Sequence, residues 1–260
     1  MGGSFPFPVK YGYATVGRVE HGPDDLVGRT VFVLHPHQSL FDVPLEAALP
    51  VPDGVPPARA VLAANMETAI NAVWDAAPRA DDRIAIIGAG VVGALVAFAL
   101  RRLVAATDVT LVDVNASRSR LAQALGVNFS TPAAAPSDCD LVVHTSATAA
   151  GLATAISLAT DEATILELSW YGAGTVPVPL GGAFHSRRLR LVSSQVGKIP
   201  RSHRKDWTSR SRLELALKLT GAPELEALME PAVAFHDLPG RLPKILAPLS
   251  GALCQRIDYL

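Results

Sequence analysis

A glycine-lined turn and one carboxylate are the groups in this chain whose spacing points most directly to chemistry. Gly88-Ala89-Gly90-Val91-Val92-Gly93 follows the apolar run Ile84-Ala85-Ile86-Ile87 without a gap. Where a strand hands over to a helix, the first glycine of such a turn permits the sharp bend and the second leaves the main chain bare for a diphosphate. The third lets the helix pack closely on the strand. The free N–H groups and the dipole at the helix start then attract the phosphate charge. Asp113 ends the run Thr110-Leu111-Val112, twenty positions beyond Gly93, where a carboxylate accepts hydrogen bonds from an adenosine ribose. The pattern predicts a dinucleotide seat with Gly88, Gly90, Val91, Val92 and Gly93 against the diphosphate and Asp113 on the ribose. A carboxylate there repels the extra phosphate of NADP, so NAD is the expected cofactor. Arg118 and Arg120, just beyond, soften that discrimination and keep NADP open as the alternative. A glycine turn without a ligand is the competing reading, and the strand before and helix after it count against that reading.

Other groups are less specific. Ser169-Trp170-Tyr171-Gly172 stands at the end of an apolar run, Thr164 to Leu168, and ligands of open α/β sheets bind at the carboxyl ends of strands. Ser169, Trp170 and Tyr171 are therefore expected beside the nicotinamide, with core packing or an exposed loop as the alternative. His35 and His37 point to one face of an extended segment, but no third ligand accompanies them, and solvated loop histidines are commoner. The basic stretch from Arg187 to Arg212 encloses Trp207. A solvated face explains it best, and contacts to cofactor phosphates or an anionic substrate explain it better than nucleic acid, because the chain as a whole carries a net charge of only −1.

The elements that must position these groups are legible as a change of pattern. Through about Ala64, glycines and prolines interrupt short β-prone stretches such as Thr15 to Val19 and Thr30 to Leu34, which reads as a β-rich region. Pro57 to Ala77 reads as helix. From Arg83 onward strands alternate with helices: Arg83–Ile87, Val109–Val114, Leu141–His144, Thr164–Leu168 and Leu189–Ser193 as strands, with Val91–Leu103, Arg118–Leu125 and Ala149–Leu158 as helices. That alternation predicts an α/β fold of Rossmann type, a doubly wound parallel sheet covered on both faces. Pro132 to Pro136 reads as a loop, and Gln195 to Leu260 is less regular, with a helix around Arg212 to Leu219.

At 260 residues and 49% hydrophobic, the chain can bury a substantial core. Cys139 and Cys254, its only cysteines, are too far apart for a metal knuckle, and a reducing cytoplasm suits them. Neither an export signal nor a myristoylation site is read at the start, where Pro6 occupies the position that would need Ser or Thr. The longest uncharged run, between Arg83 and Arg101, is broken by its glycines and is not read as a membrane span.

Taken together, these motifs resemble the medium-chain dehydrogenase/reductase family of zinc-type alcohol dehydrogenases. Tyr11-Gly12-Tyr13-Ala14-Thr15-Val16-Gly17-Arg18-Val19 looks like the family's Gly-His-Glu…Gly…Val strand. Thr68-Ala69 lies in what looks like the helix leading into the nucleotide domain, Leu121 to Val127 is similar to Ala-x-x-Leu-Gly-Ala, and Asp140 to Val143 with the turn Thr145 to Ala147 fits as well. The resemblance implies three parts: residues 1–64 as a partial GroES-like catalytic domain, 65–194 as the dinucleotide domain, and 195–260 completing the catalytic domain. It also places Thr68, Thr145 and Ser146 on the cofactor and implies a small-molecule alcohol or carbonyl substrate and a homodimer.

The departures from the family concern zinc. Tyr13 stands where a ligand histidine belongs, Ala64 falls on a later ligand position, and the segment with the first cysteine is not matched, so no metal is expected. Without zinc, Tyr13 becomes the first candidate to polarise a carbonyl or pass a proton, and Glu67 the second. The expectation is a zinc-independent NAD(P)-dependent oxidoreductase. The alternative is a non-catalytic dinucleotide-binding sensor or partner protein derived from one.

Overall fold

A computed structural model describes residues 2–3, 9–247 and 250–259; Pro6 lies outside them. The chain divides into two units, Met1–Ala64 with Leu213–Leu260, and Asn65–Arg212.

The second unit is built on six strands: β1 Arg83–Ile87, β2 Asp108–Val112, β3 Asn128–Ser130, β4 Cys139–His144, β5 Ala159–Glu167 and β6 Arg190–Ser193. They lie in the order β6-β5-β4-β1-β2-β3, every neighbouring pair parallel. Its helices are α1 Ala63–Ala76, α2 Val91–Ala99, α3 Ser119–Ala124, α4 Ala149–Leu158 and α5 Ala183–Ser186; α6 Ser209–Leu219 begins here, and its residues from Leu213 onward belong to the other unit. Ile84, Ala85 and Ile86 are all fully buried. The run carries no polar alternation because both faces of a central parallel strand are covered.

Several boundaries differ from the sequence expectation. The helix expected from Pro57 to Ala77 is two helices, Pro57–Ala60 and Ala63–Ala76, separated by a tight turn in which Leu62 N–H bonds Arg59 O at 2.9 Å. α2 stops at Ala99 and widens into a π turn, Leu100–Val104, closed by Ala105 in the left-handed region. β5 starts five residues earlier than Thr164, because its register against β4 shifts between Ala159 and Thr164, and Glu162 takes a positive φ there. The segment after Pro132 forms a short 3-10 turn, Pro132–Ala134.

The other unit holds a three-stranded antiparallel sheet, Thr15–Arg18, Thr30–Val33 and Leu49–Pro50, with Val16 opposite Phe32. Phe32, Leu49, Val51, Val55 and Ala60 pack with Leu213 and Leu217 as its core, so residues distant in sequence supply one apolar cluster. The stretch after Leu219, irregular by sequence, contains a strand Met229–Ala234 that pairs in parallel with Cys254–Asp258. Among the described residues no helix is long and apolar enough to cross a membrane.

Truncating the centre of β1 tests the core. Ile86→Ala should cost about 3 kcal/mol of stability, read as a lower urea midpoint with an unchanged slope.

Candidate functional site

The strand order reverses between β1 and β4, and in open α/β sheets ligands bind in the crevice outside the carboxyl ends of strands at such a switch point. Two turns meet there. Gly88 follows β1 with φ +105°, a conformation that favours glycine. A Cβ on it would lie 2.9 Å from both Ser146 N and Thr145 Oγ1, in the turn that follows β4. A Cβ on Gly93 would lie 2.0 Å from Gly88 O. These two glycines are demanded by packing alone. Gly90 is different: it caps α2 in extended conformation without a side-chain bond, and a Cβ there would meet nothing within 4 Å. Open space at a helix N-terminus, beside main chain without a side chain, is what a diphosphate requires. Val91 and Val92, half-buried, begin the helix.

Asp113, half-buried, lies just past the end of β2. Its Oδ2 accepts from Ala89 N at 2.7 Å and its Oδ1 from Asn115 N at 2.8 Å. The carboxylate is thus fixed against the glycine turn by main chain, with lone pairs left on each oxygen for further donors. Arg118 is half-buried in the short turn Ala116–Arg118 that follows. Thr145 ties the two turns together, its hydroxyl donating to Ile87 O at 3.0 Å and Gly88 O at 2.9 Å.

At the end of β4 stands a cluster that the sequence reading did not assemble. His144 is fully buried. Its Nδ1 lies 2.9 and 2.8 Å from the two carboxylate oxygens of Glu167, and its Nε2 lies 2.8 Å from Ser146 Oγ. Ser146 Oγ is in turn 3.0 Å from Thr148 Oγ1. Ser169 N–H donates to Glu167 Oε1 at 2.7 Å, and Tyr171 OH donates to Oε2 at 3.2 Å. Burial raises the proton affinity of the Glu167 carboxyl. The bonds from His144 and Ser169 outweigh burial and hold it below the ordinary glutamate range. Tyr171 shifts the other way, pushed up by burial and by the Glu167 charge. Ser169 Oγ accepts from Ala147 N at 3.0 Å, and Trp170 is 81% exposed.

Of the candidates from the sequence, the glycine turn, Asp113, Thr145, Ser146 and Ser169 therefore come together around the carboxyl ends of the sheet. Glu67 does not join them through its polar contacts. It is buried, and its Oε1 accepts from Arg212 Nε at 3.0 Å and Nη2 at 2.8 Å. Arg212 also donates to Asn71 Oδ1 and to Val196 O. Burial raises the Glu67 carboxyl, and Arg212 opposes it. Thr68, next to it on α1, is half-buried. Tyr13 belongs to the other unit and is 50% exposed. There too, His37 Nδ1 bonds Tyr259 OH at 2.7 Å while His35 stacks on Phe41, so the two histidines have separate partners. Among the described residues no group of three or more His, Cys, Asp or Glu stands ready to hold a metal ion.

No protein-family model matches the chain, and no curated protein matches its sequence. Solved structures do match its fold. Galactitol-1-phosphate dehydrogenase from Escherichia coli has a TM-score of 0.74 at 16% identity, over 98% of this chain and 85% of that one. 2R,3R-butanediol dehydrogenase from Bacillus subtilis has a TM-score of 0.72 at 19% identity, over 97% and 81%. A short chain alcohol dehydrogenase from E. coli CFT073, complexed with NADH, has a TM-score of 0.71 at 15% identity, over 92% and 80%. The chain thus shares the fold of these alcohol and polyol dehydrogenases, a Rossmann sheet accompanied by a small antiparallel β unit.

Two measurements follow from the ionic contacts. Arg212→Met leaves the Glu67 carboxylate buried without its cation and should cost about 3 kcal/mol in chemical denaturation. The double variant Arg212→Met, Glu67→Gln should recover part of that loss. Glu167 has its proton affinity lowered by folding, so the stability linked to it is present above the ordinary value of 4.5 and is lost as pH falls through the lower folded value. Melting curves from pH 6 to pH 3 should therefore fall less steeply below about pH 4.5 in Glu167→Gln than in the native protein.

Proposed function

We propose that this protein is a zinc-independent, NAD(P)-dependent oxidoreductase that transfers hydride between the nicotinamide and an alcohol or carbonyl substrate. The observation that carries this reading is the open, side-chain-free approach to Gly90 at the head of α2, with Asp113 held beside it by Ala89 N–H. Gly88 to Gly93 would take the diphosphate, Asp113 the adenosine ribose, and Arg118 the phosphate that distinguishes NADP. Thr145, Ser146, Ser169 and Trp170 would border the nicotinamide half, with Thr68 on α1 as a further contact. The cofactor, when bound, supplies the hydride donor or acceptor; the chain supplies orientation and the proton. That dehydrogenases of the same fold include one crystallised with NADH supports the assignment. The absence of zinc rests on Tyr13 and Ala64, neither of which is a zinc ligand of the usual kind. Plasma emission analysis of the purified protein should find zinc well below one equivalent. Tyr13 we assign to the substrate side. For Glu67, engaged by Arg212, we propose the part of fixing α1 and so Thr68.

Fluorescence titration with NADH and NADPH tests the assignment. The native protein should bind NADH more tightly than NADPH. Gly90→Val, which puts a side chain into the open approach without straining the backbone, should weaken both by roughly 100-fold, the loss of a charge-assisted bond or two. Asp113→Ser should weaken NADH about tenfold and NADPH less. Binding of neither coenzyme to the folded protein would overturn the assignment. Tight binding without turnover across alcohols, aldehydes and quinones would leave a dinucleotide-binding protein and remove the oxidoreductase.

A further inference from the structure

The middle strands of the sheet do not end alike. β1 ends in Ile87 and β2 in Val112, both buried apolar residues, which is all that packing at a strand end requires. β4 and β5 end in His144 and Glu167, opposite one another in register. Both oxygens of Glu167 lie within 2.9 Å of His144 Nδ1, so the ionised carboxylate holds a proton on Nδ1. Nε2 of the neutral ring is then an acceptor, and the group facing it at 2.8 Å is the hydroxyl of Ser146. This is the arrangement of a hydroxyl, an imidazole base and an orienting carboxylate, recognised by geometry and not by sequence order.

The neighbouring elements leave room for it. A Cβ on Gly151, in the first turn of α4, would lie 2.1 Å from Ser146 Oγ and 2.8 Å from His144 Nε2. The helix therefore approaches with bare main chain at the one point where the serine and the imidazole meet. Ser169 N–H and Tyr171 OH fix the carboxylate from its other side. Ser146, partly exposed, follows the turn packed on Gly88, so its hydroxyl stands at the switch point itself.

We propose that Ser146, His144 and Glu167 form the acid–base relay of this protein, an inference that rests on the dinucleotide-dependent reading above and names the groups that move its proton. In alcohol oxidation a bound nicotinamide would take the hydride with its electron pair from the carbon, as the substrate O–H bond breaks. The hydroxyl proton passes to Ser146 Oγ as the serine's own proton passes to His144 Nε2. The carbon–oxygen bond becomes a carbonyl, and the imidazolium is balanced by the Glu167 carboxylate until its proton returns through the partly exposed Ser146 hydroxyl to water. Carbonyl reduction runs these steps in reverse. Tyr171 and Ser169 are positioning residues that orient the carboxylate.

The relay has a signature apart from turnover, because the imidazolium and the oxidised nicotinamide both carry positive charge. Among the described residues, Glu167 and Tyr171 are the ionisable side chains bonded to the His144 ring; α4 presents Gly151 and β1 pairs through Ile87. Calorimetric titrations of the full chain with NAD⁺ and with NADH, from pH 5.5 to 8.5 in buffers of different ionisation heat, read the coupling. The affinity ratio of NAD⁺ to NADH should fall about tenfold toward acid pH, with proton release on NAD⁺ binding, and His144→Gln should abolish both. Equal slopes in the native protein and His144→Gln, with both coenzymes bound, would overturn the relay while leaving the dinucleotide reading intact. Failure of both coenzymes to bind the native protein would remove both. Should His144→Gln not fold, ¹⁵N-histidine spectra of the native protein decide the matter. Among its seven histidines, one imidazole whose Nε2 signal moves in Ser146→Ala should change its titration on adding NAD⁺ and not NADH. The lack of such a signal overturns the proposal.

Discussion

The hydroxyl of Thr145, bonded to the carbonyls of Ile87 and Gly88, holds the end of β4 against the turn that follows β1, and the rest of the site depends on that contact. It leaves no space for a side chain on Gly88 or Gly93, since either Cβ would lie within 2.9 Å of Thr145 Oγ1. It also delivers the residues on either side of it, His144 and Ser146, to the same crevice. One close approach between two strand ends thus sets both the bare main chain suited to a diphosphate and the polar cluster beside it. The strand order makes this meeting unavoidable, because β1 and β4 are neighbours at the point where that order reverses.

Much of this was legible in the residues. The fully apolar β1, the glycine spacing after it and the carboxylate after β2 are local patterns, and each maps onto one turn or strand end. α4 was legible to the residue, Ala149 to Leu158, because Thr148 caps it through the amide of Gly151. What could not be read was register. His144 and Glu167 each close an apolar run, and their meeting depends on how β4 and β5 slide against one another, including a bulge near Glu162 that no short-range pattern announces. Polar residues ending two buried strands were the available signal. The same limit applies to Glu67, whose partner Arg212 lies 145 positions away.

Packing explains two of the three glycines of the turn, and this division matters for the functional argument. Gly88 and Gly93 would be required in a protein of this fold whether or not it bound anything. Gly90 meets no neighbour, so a side chain there is opposed by nothing inside the chain. The case for an external anion therefore rests on Gly90 and on Asp113, whose carboxylate is immobilised by Ala89 N–H without being consumed by it.

Two buried side-chain contacts among the described residues of the parallel-sheet unit, Glu67 with Arg212 and His144 with Glu167, differ in kind. Glu67 and Arg212 pair a carboxylate with a planar guanidinium fork that donates and does not accept. Such a pair holds helices in place and does little else. His144 and Glu167 form a pair in which one member is an imidazole, with a ring nitrogen facing the carboxylate and the other facing the Ser146 hydroxyl. A fixed charge in the crevice would bind one state of a reacting cofactor and resist the other. A charge that appears as the substrate's proton arrives follows the reaction, which is why a buried histidine at the switch point suits chemistry where a buried arginine would suit only structure.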